Sequence, residues 1–219
     1  MQNHTGYENW YDNNQFQASS TTGQALSDAE KTHVQTYAKG VNYTDSAVKD
    51  FLTQLDGIDS PITVVWYGDH LPGIYDNEIK MAKNNISMHE ADYFIWSNAA
   101  TKRAGNGTAA PQNQFTSPNY FMAQAATHMN AKVSPYLAFL TRMHQAIPAM
   151  EPTLSTTMDW STTVVQESAT YLDGNGERIR DAKLTKEQKR LLADYRMIQY
   201  DITAGKQYLE KLDFMTIRK

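Results

Sequence analysis

The chain contains no cysteine. That excludes a disulfide scaffold, a thiol nucleophile and a zinc–thiolate centre, since each needs sulfur. It has no apolar run near the ~20 residues that a membrane-spanning helix requires, and no charged segment leading into a signal-like apolar stretch. Excess positive charge is missing too: 20 Lys and Arg face 24 Asp and Glu, for a formal net charge of −4. The chain as a whole therefore offers no cationic footprint for nucleic acid. Its densest basic group, Lys186, Lys189 and Arg190, falls on a predicted helix and reads as a solvated face. What remains is 219 residues, 41% of them apolar and 20% charged. That is the composition of a globular chain, with room for one ordinary domain and a small appendage.

Residues 1–24 are polar and aromatic, with Tyr7, Trp10, Tyr11 and Phe16 at no regular spacing, and read as an irregular lead-in. Ser27 and Glu30 have capping-box spacing, in which hydroxyl and carboxylate each satisfy a free backbone N–H. Val34, Tyr37, Ala38 and Val41, then Val48, Phe51, Leu52 and Leu55, follow helical periodicity up to Gly57. After the break at Asp59-Ser60-Pro61, the β-branched and aromatic run Ile62 to Tyr67 predicts a buried strand, with Trp66 in the core. A helix is predicted over 78–86, and a second strand over 91–96 with Trp96 packed inside. Gly, Asn, Thr, Gln and Pro then mark 101–118 as a surface loop.

Helices are predicted over 119–130 and 135–146, and Pro148 and Pro152 punctuate the chain after them. Thr162 to Tyr171 can pair with the stretch beyond Asp173-Gly174-Asn175-Gly176 as a hairpin. Thr185 and Gln188 form a second capping box, opening a helix with Leu191, Leu192, Tyr195, Ile198 and Ile202 on one face before Gly205. This order predicts an α/β core over 1–150 and a small α+β subdomain, hairpin and terminal helix, over 151–219.

One segment carries the sharpest chemistry: Val64-Val65-Trp66-Tyr67-Gly68-Asp69-His70-Leu71-Pro72-Gly73. A strand running into Gly-Asp-His places two metal-capable side chains at its carboxyl end, where α/β proteins usually bind ligands. Carboxylate oxygen with imidazole nitrogen suits Mn²⁺ or Zn²⁺ better than a soft metal. Taken alone, such a pair reads first as a turn cap and a local hydrogen bond. His33, His89, His128 and His144 have no partner at ligand spacing and read as surface or structural histidines. The ten methionines read as core fillers.

The run Thr63 to Tyr75 resembles the Gly-Asp-His segment of lipoteichoic acid synthases and related phosphoglycerol transferases, within the sulfatase/alkaline-phosphatase superfamily. The preceding layout is similar as well: Thr36-Tyr37-Ala38, then Thr44-Asp45-Ser46-Ala47-Val48-Lys49-Asp50-Phe51, then the strand. Met1-Gln2-Asn3-His4-Thr5-Gly6-Tyr7 resembles that family's Asn-His-x-Pro-Tyr turn, with Gly6 where Pro is common. Leu192 to Asp201 resembles the Asp-Tyr-x-x-x-x-Tyr-Asp helix that closes some bacterial members.

The resemblance implies a partial sulfatase-like (alkaline-phosphatase-like) mixed sheet flanked by helices. It implies Asp69 and His70 as ligands of a catalytic divalent cation, usually Mn²⁺, and His4 on a substrate phosphate; Trp10, in the irregular lead-in near His4, is the candidate for a pocket wall by its position alone. It further implies transfer of glycerophosphate from a phosphatidylglycerol-type lipid by a Thr nucleophile, at the outer face of a bacterial membrane. No residue here matches the family's Thr nucleophile or its Glu ligand. The expectation is thus a fragment, inert alone, that self-associates through an exposed sheet edge. A sulfatase- or phosphatase-type ester hydrolase, or a non-catalytic domain binding glycerophosphate or a partner protein, are the alternatives.

Overall fold

A computed structural model describes residues 3–4, 6–21, 25–74, 86–107, 114–155 and 166–217. The chain divides into two compact units, 1–100 and 101–219. In the first unit, helix α1 (Asp28–Asp56) begins at the Ser27 cap: the Ser27 hydroxyl accepts from Glu30 N–H, and the Glu30 carboxylate accepts in return from Ser27 N–H. The two predicted stripes are one uninterrupted helix, because no breaker separates them. Thr36 and Gly40 are its buried residues.

Strands β1 (Thr63–Tyr67) and β2 (Tyr93–Ser97) pair antiparallel, with Thr63 opposite Ser97 and Tyr67 opposite Tyr93. Both predicted strands therefore form, but not as core strands. Trp66 is 38% exposed and stacks on Phe94, itself 37% exposed, with ring centroids 6.3 Å apart. Tyr67, on the opposite face of β1, is 51% exposed, so the apolar run that resembled a doubly covered strand is a two-stranded ribbon open at this end. Among the described residues β1 and β2 pair only with each other. The helix predicted over 78–86 lies outside the described residues except for Ile86, which opens a 3₁₀ turn (Ile86–His89).

The joint of this unit is Asn98, which is fully buried. Its side-chain oxygen accepts from Ile62 N–H at 3.0 Å, and its amide nitrogen lies within 3.2 Å of the carbonyls of Leu55, Ile58 and Ser60. One side chain thus ties the end of α1, the Asp59-Ser60-Pro61 break and the start of β1 to the end of β2. Asp56 strengthens the joint by accepting from Ala99 N–H at 2.7 Å.

A short helix α2 (Ala99–Arg103) carries the division between the units. In the second unit follow α3 (Phe121–His128) and α4 (Pro135–Ala146), then β3 (Ala149–Ser155), β4 (Gln166–Leu172) and β5 (Arg178–Ile179). These strands form an antiparallel sheet in the order β3-β4-β5. The hairpin predicted at Asp173–Gly176 joins β4 to β5, and Asp173 accepts from the amides of Asn175 and Glu177. The sequence reading missed β3, because Pro148 and Pro152 looked like breaks. Pro152 sits opposite Ala169 in the edge strand of the sheet, where a missing N–H is tolerated.

Helix α5 (Lys186–Thr203) starts at the Thr185/Gln188 capping box and buries Leu191, Leu192, Tyr195 and Ile198. Ile202, predicted on the same face, is 45% exposed. The core of this unit joins Tyr120, Ala123, Leu140, Met143, Ile147 and Tyr171 to the buried face of α5. A final turn, α6 (Tyr208–Lys211), is held by Asp201, whose carboxylate accepts from Leu209 N–H at 2.9 Å.

Candidate functional site

Strand β1 ends at Gly68, whose N–H donates to Asp92 O at 3.1 Å, the last hydrogen bond before the chain leaves the ribbon. A Cβ on Gly68 would lie 3.1 Å from that of Ala91, so the turn has little room for a side chain. Asp69 and His70 follow at once, with side chains 84% and 61% exposed. Asp69 Oδ1 accepts from His70 N–H at 3.0 Å, while Oδ2 lies 3.8 Å from His70 Nε2. The carbonyl of Leu71 lies 2.8 Å from His70 Nδ1. A carbonyl can only accept, so Nδ1 carries the hydrogen, and a neutral ring presents its lone pair at Nε2, on the side of Asp69.

Both contacts of the plainer reading are present: the Asp69 carboxylate caps the turn, and the His70 ring bonds the backbone locally. An ion pair so exposed and 3.8 Å apart adds little stability. The geometry does fit a shared cation: two ligands each about 2.1 Å from one ion are at most ~4.2 Å apart. The Leu71 carbonyl stands where metal-binding histidines usually have an orienting acceptor. Among the described residues no group of three or more His, Cys, Asp or Glu side chains could hold a metal. Asp69 and His70 therefore suit two positions of a site, with oxygen and nitrogen donors appropriate to Mn²⁺ or Zn²⁺.

The lead-in brings His4 to the same place. Its ring meets that of His70 edge-on, with centroids 5.9 Å apart. Three contacts lay residues 3–4 and 6–11 against α1. Asn3 Nδ2 donates to Thr44 Oγ1 at 2.8 Å, the Tyr7 ring packs edge-on against Tyr37, and Tyr11 tilts against Tyr43. Tyr7 is the clamp: it is buried, its hydroxyl donates to Asn3 O at 3.0 Å, and the Gly73 backbone bonds the same group. Burial pushes the Tyr7 phenol above its usual range, partly offset by the Gly73 bond, so it stays a neutral donor. Tyr7 thus ties the His4 turn to the loop after Asp69 and His70. The sequence reading noted Tyr7 only as a motif letter; its spacing from His4 was the available signal.

Gly6 adopts φ +89°, with its notional Cβ 2.9 Å from Trp10 Cζ2. Proline fixes φ near about −65°, so the glycine at this position goes with a different local path of the turn. Trp10, 51% exposed, lies over Gly6. Asp69, His70 and His4 are thus brought together, and Trp10 belongs to the turn that carries His4. His144 is buried at the Tyr120 ring in the second unit, and burial lowers its pKa.

An α/β chain with a Gly-Asp-His loop at the end of a strand and a histidine turn beside it defines a class, and comparison with known proteins gives the same one. Residues 1–131 match the sulfatase family, and the chain belongs to it. It is similar to Streptococcus pyogenes phosphoglycerol transferase GacH, solved in complex with sn-glycerol-1-phosphate. The TM-score is 0.62 and the identity 29%, over 90% of this chain and 42% of that one. It is also 23% identical over 196 residues to a putative cyclic beta-1,2-glucan modification protein of Rhizobium meliloti (strain 1021), covering 84% of this chain and 27% of that protein. The chain thus spans less than half the length of either relative, and the expected sulfatase-like helix–sheet fold is the one found. No helix among the described residues is long and apolar enough to cross a membrane.

Proposed function

We propose that this chain carries half of the active site of a metal-dependent phosphoglycerol transferase of the bacterial cell envelope. Asp69 and His70 provide two ligands of a divalent cation, Mn²⁺ or a similar ion, and His4 hydrogen-bonds an oxygen of the substrate phosphate. When bound, such a cation neutralises charge on the phosphoryl group. His70 is oriented for this role by Leu71 O, and Tyr7 holds His4 against it. Trp10 walls the site. The Thr nucleophile and Glu ligand of the resembling family have no counterpart in this sequence, so the reading places them outside it, and the chain alone turns nothing over. Residues 1–150 belong to the catalytic portion in this reading, and residues 151–219 to an accessory subdomain.

The observation that carries the proposal is the meeting of His4 with the Asp69–His70 pair, in a chain 29% identical to a phosphoglycerol transferase over 90% of its length. That transferase was solved with sn-glycerol-1-phosphate, which supports a glycerophosphate group taken from an anionic lipid of the phosphatidylglycerol type. The name of the Rhizobium relative, a glucan modification protein, supports a carbohydrate of the envelope as acceptor. In the chain by itself, the open edge of β1–β2 is the seat of self-association.

Calorimetric titration with Mn²⁺ and with sn-glycerol-1-phosphate tests the proposal. The wild-type chain is compared with the Asp69→Ala/His70→Ala double variant and with His4→Ala. Weak Mn²⁺ binding is expected, roughly 10⁻⁴ M or poorer for so incomplete a ligand set, and the double variant abolishes it. Glycerol phosphate binding should strengthen with Mn²⁺ and be lost in His4→Ala. Identical isotherms for all three proteins would sink the assignment.

A further inference from the structure

The end of the second unit leaves apolar surface open. Seven of the seventeen large apolar side chains that the described residues expose fall within residues 197–217. The backbone there is braced. Asp201 fixes the start of α6 by accepting from Leu209 N–H at 2.9 Å, and Tyr136 N–H donates to Phe214 O at 3.0 Å. Phe214 N–H in turn donates to Leu209 O at 3.0 Å, with Asp213 at φ +53° between them. Leu209 and Phe214 are the half-buried anchors of this turn, and the Phe214 ring tilts against Tyr136. The residues beside the anchors stay out: Tyr208 is 55% exposed and Leu212 63%. These two are neighbours one helical turn apart, with Leu212 N–H donating to Tyr208 O at 3.1 Å. Lys211 Nζ lies 5.3 Å from the centroid of the Tyr208 ring.

Adjacent apolar side chains held out on a braced turn point to a surface that they meet. Charge selects that surface. Residues 186–219 hold eight Lys and Arg against five Asp and Glu, whereas residues 1–185 hold twelve against nineteen. This end of an acidic chain is therefore basic. Lys206 and Lys211 stand exposed on either side of Tyr208 in the sequence, with Glu210 and Asp213 as the acidic residues of the same turn. A second copy of this face would bring like charges together. An anionic bilayer surface suits both features at once: its headgroups attract the lysines, a tyrosine settles at the interface, and a leucine enters the acyl boundary. Lysine side chains are long enough to lie along apolar neighbours and still reach the headgroups. We infer that the α6 turn, through Tyr208 and Leu212 with Lys206 and Lys211, docks the chain on the surface of an anionic phospholipid bilayer. The inference goes beyond the transferase reading above, and it uses no residue of the Asp69–His70 half-site.

Co-sedimentation of the whole chain with vesicles tests this, in EDTA so that no cation bridges protein and lipid. Saturable binding is expected to phosphatidylglycerol mixed with phosphatidylcholine. Phosphatidylserine mixtures should serve as well, because the face reads charge rather than one headgroup. Pure phosphatidylcholine should bind about tenfold more weakly or worse, and added salt should weaken binding to the anionic mixtures. Tyr208→Ser/Leu212→Ser and Lys206→Gln/Lys211→Gln should each lower affinity by about tenfold or more. Their side chains are exposed, and circular dichroism reports whether each variant is folded. The Asp69→Ala/His70→Ala variant should bind vesicles as the wild type does, so this inference and the half-site fail separately. Absence of binding to anionic vesicles, equal binding by the Tyr208→Ser/Leu212→Ser variant, or binding that is lost with Asp69 and His70 overturns the inference. A lipid-free dimer that Tyr208→Ser/Leu212→Ser breaks, without vesicle binding by the wild type, also overturns it and assigns the face to a second copy.

Discussion

Replacing Asn98 by alanine probes the joint on which the Gly-Asp-His strand is mounted. The side chain is fully buried. Its oxygen accepts from Ile62 N–H, and its two amide hydrogens are shared among the carbonyls of Leu55, Ile58 and Ser60. The flipped amide would set an NH₂ group against the Ile62 N–H and an oxygen against three carbonyls, so the network itself fixes the orientation. Truncation removes this acceptor from the part-buried Ile62 amide, and losing such a hydrogen bond costs about 1–3 kcal/mol. The carbonyls suffer less, because Ile58 and Ser60 are exposed and water can reach them. Adding the small void, Asn98→Ala should destabilise the first unit by about 3 kcal/mol.

With a urea slope of about 2 kcal/mol per molar, that loss moves the midpoint down by about 1.5 M. Three of the four tryptophans (10, 66 and 96) lie within residues 1–100, so tryptophan emission reports mainly on this unit. Asn98→Asp is a sharper variant. It keeps an acceptor for Ile62 but turns a charged oxygen toward three carbonyls, so it should lose at least as much at neutral pH. Burial raises the carboxyl pKa of such an Asp above its unfolded value, so protonation recovers part of the loss as pH falls. A midpoint for Asn98→Ala within about 0.25 M of wild type, or about 0.5 kcal/mol, would refute this account of the joint.

Two further perturbations address the second unit. Gly176 adopts φ +79°, and a Cβ there would meet the Phe115 ring at 2.5 to 2.8 Å; Gly176→Ala should lower stability by about 2 kcal/mol, and Phe115→Ala in the same chain should recover the steric part, as a double-mutant cycle on melting curves would read. Burial holds the His144 pKa below its usual value, so the unfolded chain takes up this proton first, and the contribution is present above about pH 6.5 and lost as pH falls toward the folded value. His144→Gln should flatten the fall of the melting temperature below about pH 6.5, whereas an unchanged acid slope would assign it to other groups.

What the sequence determined by itself was local. The Ser27/Glu30 and Thr185/Gln188 boxes close within four residues, and both helices start where those letters stand. The Asp173 turn is set by its own carboxylate and by glycines, and it forms as read. The Gly-Asp-His segment and the Asn-His turn were legible as motifs, and the sulfatase-like fold followed from them. Tertiary structure decided what each element faces. Trp66 looked like a core residue, because an apolar run does not say how many sides of a strand will be covered; in the ribbon it is 38% exposed. Pro152 looked like a break, because only the sheet order reveals an edge position where its missing N–H does no harm.

Asn98 carried no periodic signal at all, since its partners are carbonyls as far back in the sequence as Leu55. The approach of His4 to His70 depends on Tyr7 bonding Asn3 and the Gly73 backbone. Contacts between residues close in sequence are fixed by the letters that make them. Contacts between distant residues exist only once burial and backbone hydrogen bonding have brought those segments together.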